Sequence, residues 1–136
     1  IMKRQPEAKA CCHAHPPEAT GFAIAGVTPP RFLMPESEVF LSEIGLAEYR
    51  TPGSQECSEL VGHLAIEHMV VLMGSHGVIS RGKHIEMAYW RIEYLEALCK
   101  VYLTAREVLG SEKVPQITGE NAKILAGWHK AASARM

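Results

Sequence analysis

The chain has 136 residues, a length that suits one domain able to bury about two thirds of its unfolded surface. Hydrophobic residues make up 47% and charged residues 21%, which is near the globular average and excludes wholesale disorder. The net charge is −1 and no Lys/Arg block marks a nucleic-acid surface, so we predict a single domain over residues 1–136 with no nucleic-acid partner.

Cellular location is predicted from apolar runs and cysteines. The longest uninterrupted apolar run, residues 69–73, is far shorter than the roughly 20 residues that span a bilayer, and no signal-peptide pattern opens the chain. Four cysteines do not make a disulfide framework in a chain of this length, and free cysteines are usually buried. We therefore predict reduced thiols, a cytoplasmic location and no membrane partner.

The first segment, residues 8–15 (AKACCHAH), predicts a short buried strand that ends at a Pro-Pro pair. Prolines favour the first turn of a helix, and the following EATGFAIAG predicts a short helix that ends near Gly26. Ile1 and Met2 run into the strand with no capping signal. We therefore expect that the domain is truncated at its N-terminus.

The middle of the chain begins with a connection punctuated by prolines, TPPRFLMPE. Residues 38–49 fit either a short helical turn or a strand, and the alternation in IGLAEY favours a strand over 44–49. Ser54 is placed to cap a helix over 55–67. The sequence then predicts a buried strand MVVLM, a tight SHG turn and a second strand that ends at Gly82.

The last third contains the strongest helical signal, over residues 84–109, and Gly110 ends it. One stripe of apolar side chains recurs at intervals of three and four residues, formed by Ile85, Ala88, Ile92, Leu95, Cys99 and Tyr102. A weaker, Ala-rich helix is predicted over 119–133. Strands and helices alternate, which indicates an α/β or α+β class with a central sheet.

Three histidines carry the predicted chemistry. On a strand, His13 and His15 point to the same face with their ring nitrogens close together, an arrangement that can hold a cation or arise by chance. His76 lies in the SHG turn at the end of a strand, where it could reach the same cleft or bond the backbone. Three histidines with an open fourth position describe a catalytic zinc site. His63, His68, His84 and His129 are predicted to lie on the surface or at helix ends.

The order of motifs resembles the class II aldolase and adducin family of zinc-dependent sugar-phosphate aldolases and epimerases. The blocks HAHPPEATGFAIAG, YRTPGSQECSEL and VLMGSHGVISRG match it collinearly over residues 1–109. Pro52, Gly53 and Ser54 match the family's PGT turn, and Gly77 and Gly82 match its HGxxxxG glycines.

The resemblance implies a three-layer α/β/α domain with a largely antiparallel central sheet, assembled as a homotetramer. It implies that His13, His15 and His76 bind Zn²⁺, with other divalent transition metals possible, and that the substrate is a sugar phosphate. The implied reaction is retro-aldol cleavage of a ketose phosphate to dihydroxyacetone phosphate and an aldehyde, as in fuculose-phosphate aldolase. Two alternatives stay open: a ribulose-phosphate 4-epimerase, and a non-catalytic adducin-like scaffold.

The family's general acid/base and phosphate loops belong to a part of the domain that precedes the HxHP strand. Glu7, Glu18 and Glu36 are nearby acids, but none stands in that motif, and each is predicted to be solvated. The catalytic and substrate-binding residues are therefore unassigned. We expect residues 1–136 alone to lack aldolase turnover, because the proton-transfer group is missing.

Overall fold

The computed structural model describes residues 1–135, with side chains through residue 132. Four strands and five helices are formed by these residues. In chain order they are β1 (Ala10–Ala14), α1 (Pro17–Ala25), α2 (Pro35–Phe40), β2 (Gly45–Ala47), α3 (Gln55–Glu67), β3 (Val70–Met73), β4 (Gly77–Gly82), α4 (Ile85–Leu109) and α5 (Gly119–Arg135).

The strands form one mixed sheet in the order β1-β4-β3-β2. β4 is antiparallel to both of its neighbours, whereas β2 runs parallel to β3. Parallel neighbours need a crossover rather than a tight turn, and α3 provides it. The largely antiparallel sheet is thus confirmed, with one parallel pair at the β2 edge.

The sheet carries helices on both faces. Because side chains alternate along a strand, Val70 and Leu72 of β3 join the core that contains α1 and α4, while Val71 and Met73 join the core beneath α3. All four side chains are buried. The three-layer α/β/α arrangement is therefore confirmed.

The long helix α4 packs along β1 and β4. Its predicted stripe is buried at Ala88, Ile92, Leu95 and Cys99, but Ile85 is 53% exposed, so its inclusion in the stripe was wrong. The helix meets the sheet one turn later, where a Cβ on Gly82 would lie 2.9 Å from the Ala88 nitrogen. Ile85 comes before this close approach and stays in solvent.

Several predicted boundaries are confirmed and two are corrected. The Ser54 hydroxyl accepts from the Cys57 amide at 3.1 Å and begins α3, and Gly26 ends α1 with a φ of 69°. α2 begins at Pro35, inside the proline-rich connection, and the Ser37 hydroxyl donates to the Met34 carbonyl at its start, so the helical alternative holds for the first part of residues 38–49. The strand predicted over 44–49 is shorter, Gly45–Ala47.

The C-terminal helix α5 packs on α2. The His129 ring donates through Nδ1 to the Val39 carbonyl at 2.8 Å, and the amide of Ile117 donates to the Phe32 carbonyl at 2.7 Å. Leu125 is buried in the same region. Across the described residues, no helix combines the length and the apolar character that crossing a membrane requires.

Candidate metal site

The first two histidines of the site lie at the C-terminal end of β1. Cys12 and Ala14 pack against the core that contains α1 and α4, so the alternate positions, His13 and His15, project from the opposite face of the sheet. Both rings are exposed. The predicted same-face arrangement is present because β1 holds extended geometry up to the Pro-Pro pair.

His76 reaches the same place from the hairpin between β3 and β4. Met73 pairs with Gly77, which leaves a three-residue loop in which Ser75 adopts a φ of 51°. The loop is fixed by three backbone hydrogen bonds: the amides of Gly74, Ser75 and His76 donate to the carbonyls of Ala47, Ala23 and Met73. Because the start of β4 pairs with the end of β1, this loop lies beside His15.

The three imidazole rings form one cluster. Their centroids are 4.6 Å apart for His13 and His15, 4.8 Å for His13 and His76, and 5.2 Å for His15 and His76. One ligand atom from each ring lies within 4.8 Å of the others. Zinc binds histidine nitrogen at about 2.0–2.1 Å, so nitrogens that share an ion are at most about 4 Å apart. The three nitrogens thus lie within about 1 Å of the spacing that one shared ion requires.

A hydrogen bond sets the orientation of the His13 ring. Its Nδ1 donates to the Val78 carbonyl at 2.8 Å, across the β1–β4 pairing. This bond places the ring proton on Nδ1 and leaves the Nε2 lone pair free. A backbone carbonyl on the second ring nitrogen is the usual support of a metal-binding histidine.

Electrostatics keep the His76 ring in the form that binds metal. Burial lowers the pKa of His76, and the neighbouring His13 and His15 lower it further when they are charged. Only the neutral imidazole offers a lone pair to a cation. The cluster consists of three imidazoles and contains no charged side chain. Imidazole nitrogens suit a divalent transition metal.

The predicted acids do not join the cluster. Glu7 and Glu36 are exposed, as predicted. Glu18 is partly exposed and also lies outside the cluster; its backbone amide donates to Oε1 of Glu96 in α4 at 3.2 Å, and its interaction with the Glu96 side chain lowers the pKa of Glu18. The signal for this contact is absent from the sequence, since the two residues lie 78 positions apart along the chain.

Three of the other four histidines, His63, His68 and His84, lie on the surface or at helix ends, as predicted, whereas His129 lies within α5, where it is part-buried against α2. His84 caps α4 by accepting from the Met87 amide at 3.3 Å, and His68 follows the last residue of α3 and donates to the Glu43 carbonyl. His63 is exposed on α3. Sequence analysis missed the buried Glu38, which pairs with Arg31 at 2.7 Å and shapes the connection before α2.

Gly77 is the first residue of β4 and lies beside His15. We predict that replacing Gly77 disturbs the site. A Cβ at position 77 would lie 2.7 Å from both the Ala14 carbonyl oxygen and the His15 ring. Gly77→Ala should therefore displace His15 and weaken Zn²⁺ binding by about 10- to 100-fold, measured by isothermal titration.

The matched control is Gly21→Ala in α1, where an added Cβ meets no atom within 4 Å. This change should leave the metal affinity unaltered and slightly raise helix stability. Wild-type affinity in Gly77→Ala would show that the His15 ring does not depend on this contact.

A mixed sheet with helices on both faces and a cluster of three histidines where β1 meets the β3–β4 hairpin describe an α/β domain with a candidate metal site. The family model of the class II aldolase and adducin N-terminal domain matches residues 1–103. The chain belongs to this family.

Individual relatives agree with the assignment. An L-fuculose phosphate aldolase from Methanococcus vannielii is 29% identical over 74% of this chain and 54% of its own length. A 4-hydroxy-3-prenylphenylpyruvate oxygenase/4-hydroxy-3-prenylbenzoate synthase from Streptomyces roseochromogenus subsp. oscitans is 29% identical over 99% of this chain and 53% of its own length.

Solved structures show the same fold. An L-fuculose-1-phosphate aldolase from Thermus thermophilus superimposes with a TM-score of 0.72 at 24% identity, covering 84% of this chain and 62% of that one. The chain spans about half the length of the curated relatives that it matches.

Proposed function

We propose that this chain supplies the metal site of a class II aldolase that cleaves a ketose phosphate by a retro-aldol reaction. The observation that carries the proposal is the convergence of His13, His15 and His76 from β1 and the β3–β4 hairpin. The fuculose-phosphate aldolase relatives support the choice of substrate class. The free thiols of all four cysteines are consistent with a cytoplasmic enzyme.

The residues of this chain hold and orient the cation. His13 offers Nε2 because its Nδ1 is bonded to Val78, and burial lowers the pKa of His76, which favours the neutral imidazole. Zn²⁺ bound there would polarise the substrate carbonyl and stabilise the negative charge that develops when the carbon–carbon bond breaks. The exposure of His13 and His15 leaves the fourth position accessible to a ligand.

Proton transfer needs a further group. The cluster consists of imidazoles, and Glu18, the first acid after His15 in the chain, lies outside it beside Glu96 of α4. General acid–base catalysis contributes about 10²- to 10⁴-fold to such reactions. We therefore propose that residues 1–136 bind metal and a carbonyl ligand but turn over ketose phosphates slowly or not at all.

A ligand-binding experiment tests the metal and the substrate class together. With Co²⁺ in the site, dihydroxyacetone phosphate should change the visible absorption, because its carbonyl and hydroxyl oxygens can reach the cation. Glycerol 3-phosphate is the matched control, since it carries the same phosphate without a carbonyl. Identical spectra with and without dihydroxyacetone phosphate at saturating concentration would contradict the proposal.

A turnover assay addresses the alternatives. Release of dihydroxyacetone phosphate from a ketose 1-phosphate supports the aldolase, whereas conversion of ribulose 5-phosphate to its C4 epimer supports the epimerase. A chain that binds neither metal nor ligand would support the adducin-like scaffold. Rapid aldol cleavage by residues 1–136 would show that an acid of this chain performs the proton transfer.

A second activity is favoured by one observation. The relative named 4-hydroxy-3-prenylphenylpyruvate oxygenase/4-hydroxy-3-prenylbenzoate synthase matches 99% of this chain, including α5, whereas the Methanococcus aldolase matches 74%. An aromatic 2-oxo acid should therefore be tested as a second ligand of the Co²⁺-loaded chain. A spectral change with 4-hydroxyphenylpyruvate and none with dihydroxyacetone phosphate would favour this second activity.

We also propose that the protein assembles as a homotetramer. A groove of about 820 Å³ between α2 and α4 is lined by aromatic side chains, and in it Trp90 is 56% and Tyr89 49% exposed. Exposed apolar patches of this kind usually mark interfaces. Size-exclusion chromatography with light scattering should give four times the chain mass, and a well-folded monomer at micromolar concentration would contradict the tetramer.

A further inference from the structure

We propose that Glu96 is a positioning residue for the metal site, acting on His15 through the start of α1. This inference rests on the proposed metal-binding function. The geometry that carries it is a pair of hydrogen bonds from the first turn of α1 to the Glu96 carboxylate, which lies in the middle of α4.

The sequence leaves α1 without an N-terminal cap of its own. The first amides of a helix have no intrahelical partner, and a polar side chain at the N-cap normally accepts from them. Here the N-cap is Pro16, which has no side-chain acceptor, and Pro17 follows it. Since prolines lack an amide proton, the first two free donors of α1 are the amides of Glu18 and Ala19.

Glu96 satisfies both donors. Its Oε1 accepts from the Glu18 amide at 3.2 Å and its Oε2 accepts from the Ala19 amide at 2.9 Å. A carboxylate at this place also interacts favourably with the positive end of the helix dipole.

The start of α1 matters to the metal site because no hydrogen bond in the described residues orients the His15 ring, which lies beside Gly77 and the two other histidine rings of the site. The His13 ring is fixed by the Val78 carbonyl, but within the described residues the ring nitrogens of His15 have no hydrogen-bond partner. His15 lies after the last residue of β1 and three residues before Glu18. Its backbone is held on one side by the pairing of Ala14 with Val78 and on the other by the start of α1, which Glu96 anchors.

Glu96→Ala should weaken Co²⁺ binding by about 10- to 100-fold, as is usual when a supporting contact of a ligand is lost. It should also shift the visible Co²⁺ spectrum toward that of His15→Ala, because the same ligand is misplaced. Glu96→Gln keeps one acceptor oxygen and should recover part of the affinity. Glu107→Ala, an exposed glutamate on the same helix, should behave as the wild type.

The measurements are made at a temperature where circular dichroism shows every variant folded, and Glu96→Gln provides the comparison if Glu96→Ala unfolds. Wild-type affinity and spectrum in the Glu96 variants, together with reduced stability of the metal-free protein, would reduce Glu96 to a structural cap and overturn the inference. Failure of the wild-type chain to bind Co²⁺ would overturn the proposed metal site itself. The two failures are thus distinguishable.

Discussion

His76→Ala should abolish tight metal binding while leaving the fold intact. Removing one of three ligands costs far more than the roughly 10- to 100-fold loss that follows from disturbing a supporting residue. His76 lies in a hairpin loop whose hydrogen bonds use backbone atoms, so truncation of its side chain leaves the loop anchored. Zn²⁺ affinity is measured by competition with a chromophoric chelator, and the fold by circular dichroism.

The control for this variant is His63→Ala, which removes an exposed histidine from α3 outside the cluster. It should bind Zn²⁺ as tightly as the wild type. Retention of wild-type affinity by His76→Ala would mean that the cluster is not the metal site.

Leu95→Ala should lower the free energy of unfolding by about 2–5 kcal/mol, the usual loss when a fully buried leucine is truncated. Leu95 has no exposed surface and packs in the core between α4 and the sheet. For a domain whose total stability is about 5–15 kcal/mol, this is a large share. Urea unfolding followed by tryptophan fluorescence gives the midpoint and the slope.

Val101→Ala on the same helix is the matched control, because Val101 is 45% exposed. Its effect should stay within about 0.5 kcal/mol, as for most surface substitutions. Equal losses in the two variants would contradict the assignment of one face of α4 to the core.

The candidate site could be predicted largely from local patterns. Alternation along a strand places His13 and His15 on one face whatever the rest of the fold does, and the glycine after His76 marks a turn. What the pattern cannot supply is the pairing of β1 with β4, which brings the turn to the end of β1. The expectation that His76 joins His13 and His15 therefore rested on the collinear resemblance to a known family.

The features that sequence analysis missed depend on contacts between distant parts of the chain. In the sequence, Glu96 is one of several polar residues of α4. Its contact with the start of α1 follows only from the packing of the two helices. Glu38 is buried because Arg31 and the Phe32 amide meet its carboxylate. The start of α2 was not predicted because the segment is rich in prolines, although a proline at the first helical position is compatible with a helix.

The most direct test of the metal site is a Zn²⁺ titration followed by nuclear magnetic resonance of the histidine side chains. The signals of His13, His15 and His76 should shift together and stop changing at one equivalent, while those of His63 and His84 stay in place. In the metal-free protein, His13 should carry its proton on Nδ1, as the bond to Val78 requires. Movement of fewer than three of these rings, or none, at one equivalent of Zn²⁺ would contradict the account.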